Sequence, residues 1–270
     1  MTSGLLAAMV AAARRTATER ERGDSRAHVE RAAETMTPRG RLFEETLRRP
    51  GLRVIAECQR RSPSRGVLRP RYDPVAIAAS YENGGAAAIS VLTESTFFDG
   101  SLDHLRGVRR AVTIPLLRKD FIVSEFQIAE ARAAGADAVL LIVATLDQKE
   151  LARLIATADG HALAALVEVH DRDELARALD AGARVIGVNS RDLRTLDVDV
   201  QLFDRLAPHM SNDVVGVAES GLKSLDELMR LHRAGYKAFL IGERFMTTDD
   251  PGAALAGLLQ SESNKAGTAR

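Results

Sequence analysis

Between residues 53 and 242 the chain switches eight times from a short, continuously apolar run to a longer Ala/Leu/Arg/Glu-rich segment of helical period. No other feature constrains the fold as tightly. The runs are Arg53 to Cys58, Ala87 to Leu92, Pro115 to Arg118, Ala138 to Ile142, Ala164 to Val169, Val185 to Asn189, Val214 to Glu219 and Ala238 to Gly242. Each is too uniformly apolar for a strand with one wet face, and strand–helix alternation is the pattern of a parallel sheet covered on both sides. Glycines at 84–85, 135, 182 and 235 precede the second, fourth, sixth and eighth runs, where glycine supplies the left-handed residue that ends a helix. Eight units in about 220 residues match a single closed (β/α)8 TIM barrel, whose usual size is ~250 residues. The alternative, an open doubly wound sheet, usually has five or six strands and would place G-x-G-x-x-G after the first; that motif is absent here.

Residues 1–50 read as an N-terminal helical extension packed on the barrel, 51–260 as the barrel catalytic domain, and 261–270 (SESNKAGTAR) as a disordered tail without apolar residues other than alanine. The charge-rich stretch from Arg14 to Arg31 suits either a solvated helix or a flexible cover. Leu5 to Ala13 is apolar, but no basic residue precedes it and charged residues follow at once, so it reads as an amphipathic helix rather than a signal peptide. No run approaches the ~18 apolar residues of a membrane span.

The 37 Lys+Arg balance 37 Asp+Glu. A neutral chain has no global field to gather nucleic acid or a membrane surface, so the expected partner is a small molecule held by a local site. The single cysteine, Cys58, makes neither an internal disulfide nor a multi-thiolate metal site and points to a reducing compartment, by default the cytoplasm. His170 has no second histidine or cysteine at ligand spacing, so no metal is expected. A monomer is compatible with everything in the sequence.

Barrel active sites lie at the carboxyl ends of the strands. Glu57 closes the first run, Lys119 follows the third, Glu168 ends the fifth, Asn189 the sixth and Glu219 the seventh. Period two puts Glu57 on one face with Ile55 and Gln59, and Glu168 on one face with Leu166 and His170. If that face lines the barrel, three carboxylates and an ammonium converge, and their mutual fields separate their pKa values into acid and base roles. His170 is a further candidate base. Glu219-Ser220-Gly221 and Ile241-Gly242-Glu243 put small residues after strands seven and eight, where barrels commonly bind phosphate. The loop Arg60-Arg61-Ser62-Pro63-Ser64-Arg65-Gly66 is a candidate anion clamp, and Phe97, Phe98 and Phe121 could wall an aromatic substrate. For each of these residues an ordinary role in capping or packing stands beside the functional one.

Seven segments, IAECQRRSPSRG (55–66), AAISVLTESTFFDGSL (87–102), PLLRKDFIV (115–123), LVEVH (166–170), IGVNSRDL (186–193), AESGL (218–222) and LIGERFM (240–246), together resemble the indole-3-glycerol phosphate synthase family, collinearly from about residue 40 to 258. The resemblance implies a carbon–carbon lyase of tryptophan biosynthesis. Such an enzyme closes the ring of 1-(2-carboxyphenylamino)-1-deoxyribulose 5-phosphate with loss of CO2 and water, and uses no cofactor. By similarity, Lys119 is the general acid, Glu168 moves protons during dehydration, and Glu57 stabilises developing positive charge and orients the lysine. Asn189 and Glu219 fix substrate hydroxyls and Arg191 organises the site. Ser220, Gly221, Gly242 and Glu243 hold phosphate, with Ser62 nearby. One departure stands out. Where the family pattern in the first strand is E-x-K, this chain has Glu57-Cys58-Gln59, which keeps a hydrogen-bond donor but loses a cation. That leaves two readings: an active synthase, impaired by Gln59 unless Arg60 or Arg61 compensates, and a non-catalytic or altered-activity paralogue binding a ribulose-phosphate amine.

Overall fold

The computed structural model describes residues 4–23 and 26–268. Eight parallel strands close into a barrel: β1 (Arg53–Cys58), β2 (Ala88–Leu92), β3 (Leu116–Lys119), β4 (Ala138–Ile142), β5 (Ala164–Val169), β6 (Val185–Asn189), β7 (Val215–Glu219) and β8 (Ala238–Ile241). Each pairs with its sequence neighbours, and β8 closes on β1 through Arg53↔Ala238 to Ala56↔Ile241. The eightfold alternation therefore meant closure, and the strand limits fall within a residue of those expected. Lys119 is the last residue of β3 rather than the residue after it, and Gly242 lies just beyond β8.

The helices that follow the strands form the outer layer: α4 (Pro74–Asn83), α5 (Leu102–Ala111), α6 (Glu125–Ala133), α7 (Gln148–Gly160), α8 (Arg172–Asp180), α9 (Leu202–Leu206), α10 (Leu225–Arg233) and, after β8, α11 (Glu243–Met246) and α12 (Pro251–Thr268). Side-chain oxygens of Asp73, Ser101, Ser124, Asp147, Asp171 and Ser224 accept backbone N–H groups at their first turns, which fixes where each helix begins as it leaves the mouth of the barrel. At the other end, Gly135 and Gly182 take φ of 90° and 82° and turn the chain into the next strand.

Three helices precede the barrel, α1 (Gly4–Gly23), α2 (Arg26–Glu34) and α3 (Gly40–Arg48). Leu6, Met9, Ala12, Ala13 and Ala17 of α1 are buried, so its start is an apolar face packed on the protein. Its end is tied by Arg20, whose Nε and Nη2 donate to Glu130 of α6 at 2.7 and 3.1 Å. Of the two pictures open for the charge-rich stretch, helix is the one seen over its described residues. The last helix carries on through Thr268, across most of the segment expected to be disordered; once Leu255 and Leu258 have anchored its first turns, propagation costs little. Residues 269–270 lie outside the described residues.

Candidate active site

Alternation along β3 separates two charged neighbours. Arg118 points outward and is fully buried among Asp120 (2.8 Å), Glu130 (3.4 Å) and the Gln127 carbonyl (2.7 Å), while Lys119 points into the barrel. There the Lys119 ammonium lies 2.5 Å from Glu219 Oε2 and 3.4 Å from Glu168 Oε2. The cavity around it, of about 720 Å³, opens at the carboxyl ends of the strands. Glu57, Lys119, Glu168, Asn189 and Glu219 border it together with Leu140, Ile142 and Leu240, so the shared face inferred from period two is the barrel interior.

Two glycines make this convergence possible. A Cβ on Gly187, the register partner of Glu168, would stand 2.0 Å from Glu219 Oε1, and one on Gly242 would stand 2.7 Å from Glu57 Oε1. The carboxylates occupy the space those side chains would fill. Glu57 also accepts the Ser90 hydroxyl at 3.0 Å, and Asn189 Oδ1 accepts the Arg191 N–H at 3.0 Å.

These surroundings split the acids. Burial raises the Glu57 carboxyl, with Lys119 and Ser90 opposing and Glu168 adding. Burial also raises Glu219, to about 7; Lys119 opposes it, and the Glu168 and Glu57 charges add to it. Glu168 goes the other way: against its burial, Lys119, His170 and Asn189 hold it below the usual carboxylate range. Burial disfavours the Lys119 ammonium, but Glu219, Glu168 and Glu57 outweigh it and raise its pKa. The centre thus holds one carboxylate of lowered pKa, two acids of raised pKa, and a firm cation, which is the equipment of a proton-moving site.

The loop-borne candidates border the same cavity: Gln59 and Ser62 after β1, Phe98 after β2, Phe121 after β3, Arg191 after β6, Ser220 and Gly221 after β7, Gly242 and Glu243 after β8. Ser220 and Gly221 are both left-handed (φ 66° and 69°), and a Cβ on Gly221 would meet Val198 Cγ1 at 2.8 Å. The Glu243 carboxylate is drawn to Arg65 Nε at 3.0 Å and Arg191 Nη2 at 3.6 Å. Phe97 is not brought to the cavity; it packs against the core. Gln59 Nε2 donates to the Arg61 carbonyl at 3.1 Å. Neither expected substitute for the missing cation stands in: Arg60 is paired with Asp99 at 2.9 Å, Arg61 is exposed, and neither borders the cavity.

Several residues that line or shape the cavity carry no local sequence signal. Met9 reaches it from α1, more than forty residues before the barrel begins. Arg65, by contrast, belongs to the candidate anion clamp, and a short hairpin, Arg61–Ser62 against Gly66–Val67, brings it to the cavity. Buried Glu94 accepts the N–H groups of Thr96, Phe97 and Phe98 and so curls the loop that presents Phe98.

Fold and site define a (β/α)8 enzyme of acid–base chemistry. The family model for indole-3-glycerol phosphate synthase matches residues 6–258. An indole-3-glycerol phosphate synthase of Parafrankia sp. is 49% identical over 248 residues, 92% of each chain, and that of Mycolicibacterium smegmatis is 52% identical over 213 residues, 79% of this chain and 78% of that one. Among solved structures, a mandelate oxidase with (S)-mandelic acid superposes with a TM-score of 0.62 at 16% identity (90% of this chain, 93% of that), and KGPDC from Streptococcus mutans with 0.61 at 13% (78% and 97%). Those distant likenesses show the barrel alone. The chain belongs to the indole-3-glycerol phosphate synthase family.

Proposed function

We propose that this cavity converts 1-(2-carboxyphenylamino)-1-deoxyribulose 5-phosphate to indole-3-glycerol phosphate, as a carboxy-lyase of tryptophan biosynthesis. The observation that carries the reading is the Lys119 ammonium held between Glu219 and Glu168 inside a cavity of about 720 Å³. Lys119 protonates the substrate carbonyl oxygen as the aryl carbon attacks it. The resulting iminium is the electron sink for loss of CO2, so what the protein supplies is position and proton transfer. Glu168, kept ionised, takes the proton that the new five-membered ring gives up as water leaves in the dehydration. Glu57 and Glu219, whose pKa values burial raises, hold Lys119 in place and contact the substrate hydroxyls with Asn189. The phosphate lies against the Ser220–Gly221 turn and the start of α11, with Arg65 and Arg191 on its flank and Ser62 near; the aromatic ring lies against Phe98 and Phe121. The barrel catalytic domain spans 51–260, and residues 1–50 complete it by covering the cavity through Met9. Among the described residues no helix is long and apolar enough to cross a membrane. Cytoplasmic residence as a monomer is the simplest setting for such an enzyme.

The test is turnover of the anilino-ribulose phosphate, read as indole fluorescence; the chain has no tryptophan, so its own background is low. Product formation supports the reading, and its absence at high enzyme concentration refutes it. Gln59 favours a second reading, in which activity is impaired or altered, because neither Arg60 nor Arg61 beside it borders the cavity in place of the missing cation. Gln59→Lys should raise kcat/KM about tenfold or more, the worth of one charge contact in a partly buried site. An unchanged or lower value would contradict the impairment by Gln59.

A further inference from the structure

The carboxylate that faces Lys119 is gripped from behind. Glu168 Oε2 is turned to the lysine, while Oε1 lies 3.4 Å from His170 Nε2. Both of these rear atoms are buried and neither makes a well-formed hydrogen bond within the described residues, so each is the natural partner of the other. The far side of the ring is already taken. Glu174, in the first turn of α8, brings Oε2 to 3.1 Å from His170 Nδ1, and the same oxygen accepts the His170 backbone N–H at 2.7 Å. An acid on each side of one imidazole selects the cation, in which both ring nitrogens donate. Burial opposes that charge, but Glu168 and Glu174 outweigh it and push the His170 pKa up to about 10. Asp192, paired with Arg194 in the loop after β6, adds negative field from a third element. Glu168 in turn is faced by Lys119 of β3, Glu219 of β7, Glu57 of β1 and Asn189 of β6. His170 does not border the cavity, so it acts only through Glu168.

We propose that His170, locked by Glu174, is a positioning residue that fixes Glu168 as the ionised, lysine-facing carboxylate and thereby decides which of three neighbouring acids is the base. This rests on the assignment of Glu168 to proton transfer. Without the imidazolium, Glu168 loses a cation and an oriented donor, its proton affinity rises toward that of Glu57 and Glu219, and its carboxylate is free to turn away from Lys119.

Two measurements decide it. Nitrogen-15 NMR of the His170 ring in ligand-free protein, which needs no turnover, should show both nitrogens protonated from about pH 6 to about pH 8.5. In His170→Gln, kcat should fall about tenfold or more with KM changed less than about threefold, and the acid limb of the kcat profile should move up by about one pH unit. Glu174→Gln, which keeps an acceptor for the backbone N–H, should move the same limb by less. A neutral His170 at pH 7, or a parental acid limb in both variants, overturns the proposal. Should His170→Gln fail to fold, the ring titration and the Glu174→Gln profile decide it. Failure of the parent to make indole product would instead sink the functional assignment while leaving the ring titration readable.

Discussion

Replacing Gly187 by alanine adds one methyl group and removes no charge, yet it is expected to disarm the site. The new Cβ would stand 2.0 Å from Glu219 Oε1, 3.1 Å from the carboxyl carbon and 3.3 Å from Leu166 Cδ1. Ordinary contact begins near 3.4 Å, so the oxygen must retreat by about 1.4 Å. If the carboxylate moves as a unit away from Lys119, their 2.5 Å contact opens to roughly 3.9 Å. With Glu219 ionised, as it is above its pKa of about 7, the attraction at an effective dielectric constant of ~20 then weakens by about 2 kcal/mol. Expressed wholly in the transition state, that loss lowers kcat about 30-fold. Overpacking adds about 1–3 kcal/mol of destabilisation, a fall of about 2–4 °C in Tm per kcal/mol for a chain of this size. Initial rates by indole fluorescence and thermal unfolding of the same preparation read both effects. Parental kcat in Gly187→Ala would refute the reasoning, because it would mean that Glu219 need not stand where it does.

Glu57→Gln tests the charge split through stability. The Glu57 carboxyl is raised above its unfolded value, so its stabilisation is present at low pH and lost as pH rises through the folded value. Tm of the variant relative to the parent should therefore be higher at pH 8 than at pH 4, by about 2–4 °C for each kcal/mol of charge burial relieved, while turnover falls; a pH-independent difference would contradict the split. Arg20→Ala breaks a two-pronged contact to Glu130, which also meets buried Arg118. Because Arg20 is partly exposed, a loss of only about 1–2 kcal/mol is expected, with a higher KM as α1 and Met9 loosen; unchanged Tm and KM would show that the extension is held by its apolar face alone.

The barrel was legible because its strands are buried on both faces and its helices on one, which writes two different periods into the chain. The strand-borne acids were legible in part: period two sets Glu57 with Gln59 on one face of its strand, and closure of the barrel shows that face, like that of Glu168, to be the inner one. What the chain does not display locally is contact between distant segments. Met9 depends on how α1 lies across the barrel; of the three arginines in the candidate anion clamp, which one reaches the cavity depends on a hairpin whose strands are two residues each, and it is Arg65. The roles of Gly187 and Gly242 are negative, a missing side chain that leaves room for an acid from another strand, and no pattern in a strand's own sequence records that. His170 was noticed as a possible base; its two acidic partners, one two residues before it and one four after, show it facing away from the cavity.

The account stands on Lys119 as the acid of ring closure. The most direct measurement is single-turnover product formation by Lys119→Ala, with phosphate-dependent substrate binding followed on the same protein. Binding within a few-fold of the parent together with a fall in the ring-closing step of about 10³ or more is the predicted result. Ring closure near the parental rate would contradict it.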